Sequence, residues 1–579
     1  MRQLAFLFAL TLLTSCATGP AKSRVTPAPP TSLPMAIAQK EGPAQVPVSI
    51  SADGKLLLTT DDQFAGLYLT DTSTSQTTTL NRCYNAGYYA SISADNQYVS
   101  FKAFRPAEEK RLEQAAMLYT IKNGETHNLS GWIPVAGTPA VSSKGKVAFA
   151  AGDQLVVLSP DLKTEKIYHI DHASNLIDFA PSEEEIAYTN DDEQISILTL
   201  KSGKNRIITD GKNSYWGPKF SPNGGWVAYR TINGKVGATE LLTGRVKPIG
   251  AGESQSWIGA AKLVYVDGGT VKLISPDIDE KPHTAGDIGP RWWAVNGRSM
   301  ASQQKDRLKW ASVQNEKLVS VNSSSWVKPD DVVPPKHAAW PTELKDDGFK
   351  TERKLVDRGE SMELTGVPYV NQVYDAPDEF DGHWACNVTS ALMCLGYHNA
   401  LEPNPISVSR ISTHNSNFGA YMSRPYTRGD KTFDVQSPEP GGKPAAGGYG
   451  YIVREDWKNT KDYMADYFKI HGIDSSVDWS PSIAEARKQI DRKDPFVVLN
   501  SLTLAGHYIT CIGYVKDRNT LVYNDPYGNK NSREYPSMDG RRAFYDMPGY
   551  NNGYQNLREV HCFIYTDKDK APEKAAAGN

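Results

Sequence analysis

Trp384-Ala385-Cys386-Asn387-Val388-Thr389-Ser390 opens a helix. Val388, Ala391, Leu392 and Leu395 fall at i, i+3, i+4 and i+7, the spacing of one buried face. The pattern predicts a helix over about 386–399. Working outward, a second helix is predicted over about 456–471, stopped by Gly472. A third is expected to start near Ser480-Pro481, a cap and first-turn pair. Strand-like runs follow at Phe496-Val497-Val498-Leu499, 507–514, 521–523 and 560–565. Helices first and a sheet second predict an α+β unit over residues 363–567.

The cysteine in that stretch is placed for chemistry. A thiol attacks a carbonyl only once it ionises, and the first turn of a helix favours negative charge. The side chains such a thiolate needs occur in a usable order. Gly506-His507-Tyr508 starts a later strand-like run, so a strand fixes the ring of His507, the candidate to hold the proton as imidazolium. Asn524-Asp525-Pro526 ends the next run, and Asp525 is the candidate to set the tautomer and orientation of that ring. Gln372 lies upstream, seated by the apolar run Gly366-Val367-Pro368-Tyr369-Val370. Its side-chain amide and the backbone N–H of Cys386 would form an oxyanion hole. A lone Cys on a helix is usually core, and Asp525 alone reads as a turn residue. Their joint order is what points to an active site.

The order Val-Pro-Tyr-x-x-Gln (367–372), Ala-Cys-Asn-Val-Thr-Ser-Ala-Leu-Met (385–393), Gly-His-Tyr (506–508) and Asn-Asp-Pro-Tyr-Gly (524–528) resembles the bacteriocin-processing, double-glycine peptidase-like group of papain-like cysteine peptidases. The resemblance covers about residues 363–567. It implies an amide hydrolase acting on peptides or proteins through a thioester acyl-enzyme. Cys386 would be the nucleophile, His507 the general base, Asp525 the orienting residue and Gln372 the oxyanion donor. It implies neither a metal nor an organic cofactor. Asn387 stands where many relatives carry Gly. Cys386 and His507 are 121 residues apart, long for the group. The excess falls in a Gly/Pro-rich insert near 411–455, whose Tyr421, Tyr426, Tyr449 and Tyr451 are expected to line or cover the cleft. No transporter is attached, so leader-peptide processing during export is not expected. The alternatives are a non-catalytic envelope scaffold that grips a peptide, and a hydrolase or acyltransferase of peptidoglycan peptides.

Residues 46–325 carry a weak internal repeat. Its marker is a turn followed by an apolar strand: Ser51-Ala52-Asp53-Gly54, Ser93-Ala94-Asp95-Asn96, Ser142-Ser143-Lys144-Gly145, Pro181-Ser182-Glu183-Glu184 and Ser221-Pro222-Asn223-Gly224. Weaker echoes occur at Gly259-Ala260-Ala261 and Val295-Asn296-Gly297. The spacing suits four short strands per unit. The Ser-Pro-Asn-Gly marker resembles the repeat of TolB-type β-propellers. Such blades leave their apolar faces open until neighbours stack on them, so six or seven blades would close a ring. The fold class is therefore multidomain: an all-β propeller followed by an α+β papain-like cysteine peptidase domain. The propeller would bind substrate or a protein partner. Its scattered His127, His169, His172 and His283 lack ligand spacing, and Asp191-Asp192-Glu193 reads as a solvated turn.

The N-terminal stretch reads as a targeting signal. Arg2 precedes an apolar run over residues 4–13, too short to span a bilayer as a mature helix. Leu13-Thr14-Ser15-Cys16 resembles the lipobox of bacterial lipoproteins. That implies a signal peptide over 1–15 and lipidation of Cys16, with Ala17 suggesting the outer membrane. Residues 16–45 read as a flexible tether, 326–362 as a Pro-containing linker and 568–579 as a disordered tail. The lipid would be the sole membrane attachment. A net charge of −3 points away from nucleic acid. Of the other five cysteines, Cys386 and Cys394 are about 12 Å apart along one helix, too far to bridge. Cys511 and Cys562 would either pair or stand as two buried thiols.

Overall fold

The computed structural model describes residues 45–61, 64–83, 85–106, 112–170, 175–278, 280–289, 291–304, 307–325, 352–404, 406, 408, 416–438, 444–454, 458–532 and 535–567. The expected signal peptide, the expected tether with Cys16 up to residue 44, most of the expected linker, the expected tail, His172 and His414 lie outside them.

Seven four-stranded antiparallel sheets follow one another, at 45–81, 91–128, 140–169, 177–207, 215–251, 253–287 and 291–325. They form a seven-bladed β-propeller. Each sheet is built from one continuous segment, so the ring closes by packing alone. Ile50 and Leu57 of the first blade share a buried cluster with Ala294, Ala301, Leu308 and Trp310 of the last. Ser299 Oγ also donates to the Ala52 carbonyl at 2.8 Å.

All seven repeat markers, the two weak ones included, lie at or beside the turn joining the first and second strands of a blade. Each turn holds one residue at positive φ: Gly54, Asn96, Gly145, Glu183, Gly224, Gly259 and Gly297. That backbone is free for glycine and tolerated by asparagine. Glu183 takes it with a cost offset by its carboxylate, which accepts from Lys144 N at 2.7 Å in the neighbouring blade. The marker serine earns its place by bonding the turn shut, as Ser51, Ser93 and Ser221 Oγ accept from Leu56, Tyr98 and Trp226 N at 2.9 Å.

The second unit holds a nine-stranded sheet, its strands numbered β1 (Leu355–Asp357), β2 (Ser361–Leu364), β3 (Asp474–Asp478), β4 (Phe496–Asn500), β5 (His507–Val515), β6 (Thr520–Asn524), β7 (Ala543–Asp546), β8 (Gln555–Asn556) and β9 (Val560–Asp567). The order is β3-β9-β4-β5-β6-β7-β8, with β2 pairing on β5 and β1 on β2. Part of the expected linker is thus sheet. In β2, just past the expected linker, Glu363 is buried and clamped by Arg542 at 2.6 and 2.9 Å.

Among the described residues the helices are α1 (Cys386–Tyr397), α2 (Ala420–Ser423), α3 (Gly447–Ile452), α4 (Thr460–Ile470) and α5 (Ile483–Asp491). Helix α1 is buried all round from Asn387 to Tyr397, not on one face. It packs on β4 and β5 and is covered by α2, α3 and α4. Two of its polar residues are satisfied internally: Thr389 Oγ1 donates to Ala385 O at 2.7 Å, and Ser390 Oγ to Tyr508 O at 3.0 Å, whereas Asn387 Nδ2 is buried without a hydrogen-bond partner among the described residues. The cap of α5 is Ser482, whose side chain accepts from Glu485 N, two residues later than the expected Ser480. The insert tyrosines build core instead of a cleft wall. Tyr421, Tyr449 and Tyr451 are buried, and Tyr426 stacks on Phe433 with its hydroxyl 2.6 Å from Tyr467.

The two units are joined by a polar loop. Gly549-Tyr550-Asn551-Asn552, between β7 and β8, enters the propeller among blades one to five. Gly549 N donates to Tyr89 OH at 2.9 Å, Asn175 Nδ2 to Gly549 O at 2.9 Å, and Asn551 Nδ2 to Asn85 O at 2.9 Å. Gln114 Nε2 donates to Asn552 Oδ1 at 3.2 Å. Further round the ring, Arg230 pairs with Glu559 at 3.0 Å and Arg558 lies 3.9 Å above the Trp292 ring. Glu193 is a correction to the solvated-turn reading. It is buried, its carboxylate accepting from Ser214 Oγ at 2.9 Å and Ile483 N, the first residue of α5, at 3.0 Å.

Candidate active site

Cys386 is the first residue of α1, where backbone N–H groups lack intrahelical partners and favour an anion. His507 is the first residue of β5. Two hydrogen bonds lock these elements together beside the pair: Ser390 Oγ to Tyr508 O at 3.0 Å, and Thr510 Oγ1 to Ser390 O at 3.1 Å. Asp525 directly follows β6, the hairpin partner of β5, and its Oδ1 lies 2.8 Å from His507 Nε2. Cys386 adjoins the same ring, near enough for its side chain to help the ring hold its proton. The structure therefore brings Cys386, His507 and Asp525 into one chain of contacts.

Electrostatics favour a protonated His507 beside Asp525. Burial by itself pushes the His507 imidazolium down. The charge and hydrogen bond of Asp525, then the contact with Cys386, outweigh it and raise the ring to about 9. Asp525 is buried and held from four directions. Oδ1 also accepts from Tyr527 N at 2.9 Å, and Oδ2 accepts from Tyr545 OH at 2.7 Å and Tyr535 OH at 3.2 Å. The ring of Tyr535 and that of Tyr527 each stand 6.2 Å from His507, edge on.

Gln372 sits between the nucleophile loop and the Asp525 loop, but its amide is already engaged. Nε2 donates to the carbonyls of Gly382 and His383, each at 2.9 Å, while Oε1 is buried without a partner. Its backbone N–H donates to Pro526 O at 2.8 Å. In this state Gln372 shapes the turn into Cys386; donating to an oxyanion requires it to leave one of those carbonyls. Three residues before it, Tyr369 does parallel work. Its hydroxyl donates to Asp525 O at 3.0 Å and accepts from Gly540 N at 2.7 Å. The Val-Pro-Tyr-x-x-Gln stretch thus ties both halves of the site.

Sequence reasoning missed Tyr527, Tyr535 and Tyr545. Tyr527 lies within the Asn-Asp-Pro-Tyr-Gly run, a usable signal; the other two carry none, since their roles depend on how 528–546 folds back. Of the five cysteines in the described residues, Cys386 alone is partly exposed, and none is in a disulfide. Burial pushes Cys394 and Cys511 well up and Cys562 up to about 12, so these stay protonated. His383 pairs with Asp381 at the surface and stands 5.8 Å from the Tyr527 ring, edge on, while buried His398 bonds Thr566 at 3.0 Å.

A comparison with curated proteins finds no match. Residues 364–558 match the Peptidase_C39 like family, a span that contains Gln372, Cys386, His507 and Asp525, so the chain carries a Peptidase_C39-like domain behind its seven-bladed propeller.

Proposed function

We propose that this protein is a cell-envelope cysteine peptidase, anchored by lipid at Cys16 to the outer membrane, that hydrolyses amide bonds in peptides or proteins. The observation that carries the reading is the contact chain Cys386–His507–Asp525 at a helix N-terminus. Cys386, as thiolate, attacks the amide carbonyl and forms a tetrahedral oxyanion beside its own N–H. His507 gives its proton to the leaving amine, and the C–N bond breaks to leave a thioester on Cys386. His507, now neutral, takes a proton from water as the oxygen adds to the thioester carbonyl; the C–S bond then breaks, the acid leaves, and Cys386 returns as thiolate beside the protonated ring. Asp525 keeps the ring aimed throughout. An amine in place of water would make the same site an acyltransferase, and peptide stems of peptidoglycan suit an envelope enzyme.

The second reading is a peptide-binding domain without turnover, favoured by the engaged amide of Gln372. Incubating the protein with a mixed peptide library separates the two. New N-termini that vanish in Cys386→Ala, with a thioester adduct on Cys386 by mass spectrometry, support the peptidase. Peptides retained intact by both proteins overturn it.

A further inference from the structure

The propeller face that carries the blade-joining loops is not open for a partner, because the second unit's own loop is seated there. That loop leads directly to Asp525. Tyr545, on β7, donates to Asp525 Oδ2 at 2.7 Å. The next residue, Asp546, is fully buried and gathers the root of the loop: Oδ1 accepts from Thr520 Oγ1 at 2.6 Å, and Oδ2 from Asn552 N at 2.6 Å and Tyr554 N at 3.2 Å. On the propeller side stands Lys102, 1% exposed inside the second blade. Its ammonium donates to the Asn551 carbonyl and to Asn175 Oδ1 at 3.3 Å.

A buried lysine needs partners, and those of Lys102 come from the seated loop and from Asn175, which also holds that loop through Gly549. Burial pushes the Lys102 ammonium down to about 7, with the Asp546 carboxylate acting in the opposite sense. Burial likewise raises Asp546 to about 6, opposed by Thr520, the loop N–H groups and Lys102. The two groups sense each other across the domain boundary.

We propose that the propeller is part of the hydrolase: Lys102, by seating the 549–552 loop, fixes Asp546 and β7, and so makes Tyr545 a positioning residue that holds Asp525 on His507. Lys102 touches no reacting atom. Its route is Lys102, Asn551, Asn552, Asp546, Tyr545, Asp525. The inference rests on the peptidase reading of Cys386 and His507.

The test is the rate of Cys386 alkylation by iodoacetamide against pH, in the full chain, with the labelled site located by mass spectrometry. Lys102→Met and Tyr545→Phe are each expected to slow labelling at pH 6 about tenfold and to move its onset to higher pH, as a loosened Asp525 holds the imidazolium less well. The double variant is expected to lose no more than the worse single one. Asn233→Ala, which removes a different contact between the units (Asn233 Nδ2 to Trp479 O at 3.1 Å), should match the unaltered protein. Gln114→Leu, cutting the neighbouring bond to Asn552, replaces Lys102→Met if that variant fails to fold. Unchanged labelling in Lys102→Met or its replacement, or effects that multiply in the double variant, overturns the inference. Absence of low-pH labelling in the unaltered protein overturns the peptidase reading instead.

Discussion

His507 Nε2 stands 2.8 Å from Asp525 Oδ1, with both residues almost wholly shut off from solvent. A histidine raised from 6.5 to about 9 keeps its proton through neutral pH. Reactivity that depends on the imidazolium is therefore present below about 9 and lost as pH rises through it. The same shift contributes folding stability that is complete below 6.5 and lost as pH rises through about 9. In Asp525→Asn the charge that opposes burial is gone, so His507 falls. The measured upper limb of peptide cleavage should move down by at least one pH unit. An unmoved limb would mean that another group sets it.

Gly382 should tolerate no side chain. It sits at φ +80°, and a Cβ there would lie 1.9 Å from the Gln372 backbone oxygen. Both faults are backbone ones, so no rotamer change relieves them. Gly382→Ala is expected to cost about 3 kcal/mol or more of peptidase-unit stability and to abolish Cys386 labelling at pH 6. Denaturant unfolding monitored beside labelling checks both; a normal unfolding midpoint would contradict the account.

Gln372→Ala should fail in two ways. It strips a donor from the Gly382 and His383 carbonyls, costing about 1–3 kcal/mol, and it removes the amide that would turn toward an oxyanion, costing about 100-fold in kcat. A residue acting only on the oxyanion would lower kcat with unfolding unchanged. Thermal unfolding and single-turnover cleavage on the same sample distinguish these outcomes.

Glu193 couples docking to pH. Burial raises it from 4.5 to about 7, against the opposing bonds from Ser214 and Ile483. An acid raised on folding contributes stability that is complete below its unfolded value and lost as pH rises through its folded one. Between about 4.5 and 7 the unaltered protein should therefore lose stability that Glu193→Gln retains. Melting temperatures of the two at pH 5 and pH 7.5 test it: the gap should favour Glu193→Gln at the higher pH, and a constant gap would refute the assignment.

The repeating parts of the fold were legible and the joints were not. Turn chemistry marks each blade locally, so Ser51-Ala52-Asp53-Gly54 and Ser221-Pro222-Asn223-Gly224 announce the same turn. Even Glu183, at a position that favours glycine, kept its place in the period. Periodicity found α1 but misjudged its burial, because Thr389 and Ser390 read as a solvent face when their hydroxyls bond backbone carbonyls. His507 and Asp525 could be paired from strand order, since β5 and β6 are a hairpin that returns Asp525 to His507, and Cys386 from its place at a helix start. Tyr545 could not, because nothing near it in sequence shows that β7 pairs back on β6. The 549–552 loop, all Gly, Tyr and Asn, reads as an ordinary surface turn; its partners Asn85, Lys102 and Asn175 lie in other blades, hundreds of residues away.

The central claim is that Cys386 and His507 form a thiolate–imidazolium pair before any substrate binds. Its most direct measurement is the pH dependence of Cys386 alkylation in the unaltered protein against His507→Ala. The account predicts selective labelling of Cys386 well below pH 7, with that reactivity lost or moved to higher pH in His507→Ala. Labelling of both proteins only near pH 8.5, as for a free thiol, would contradict it.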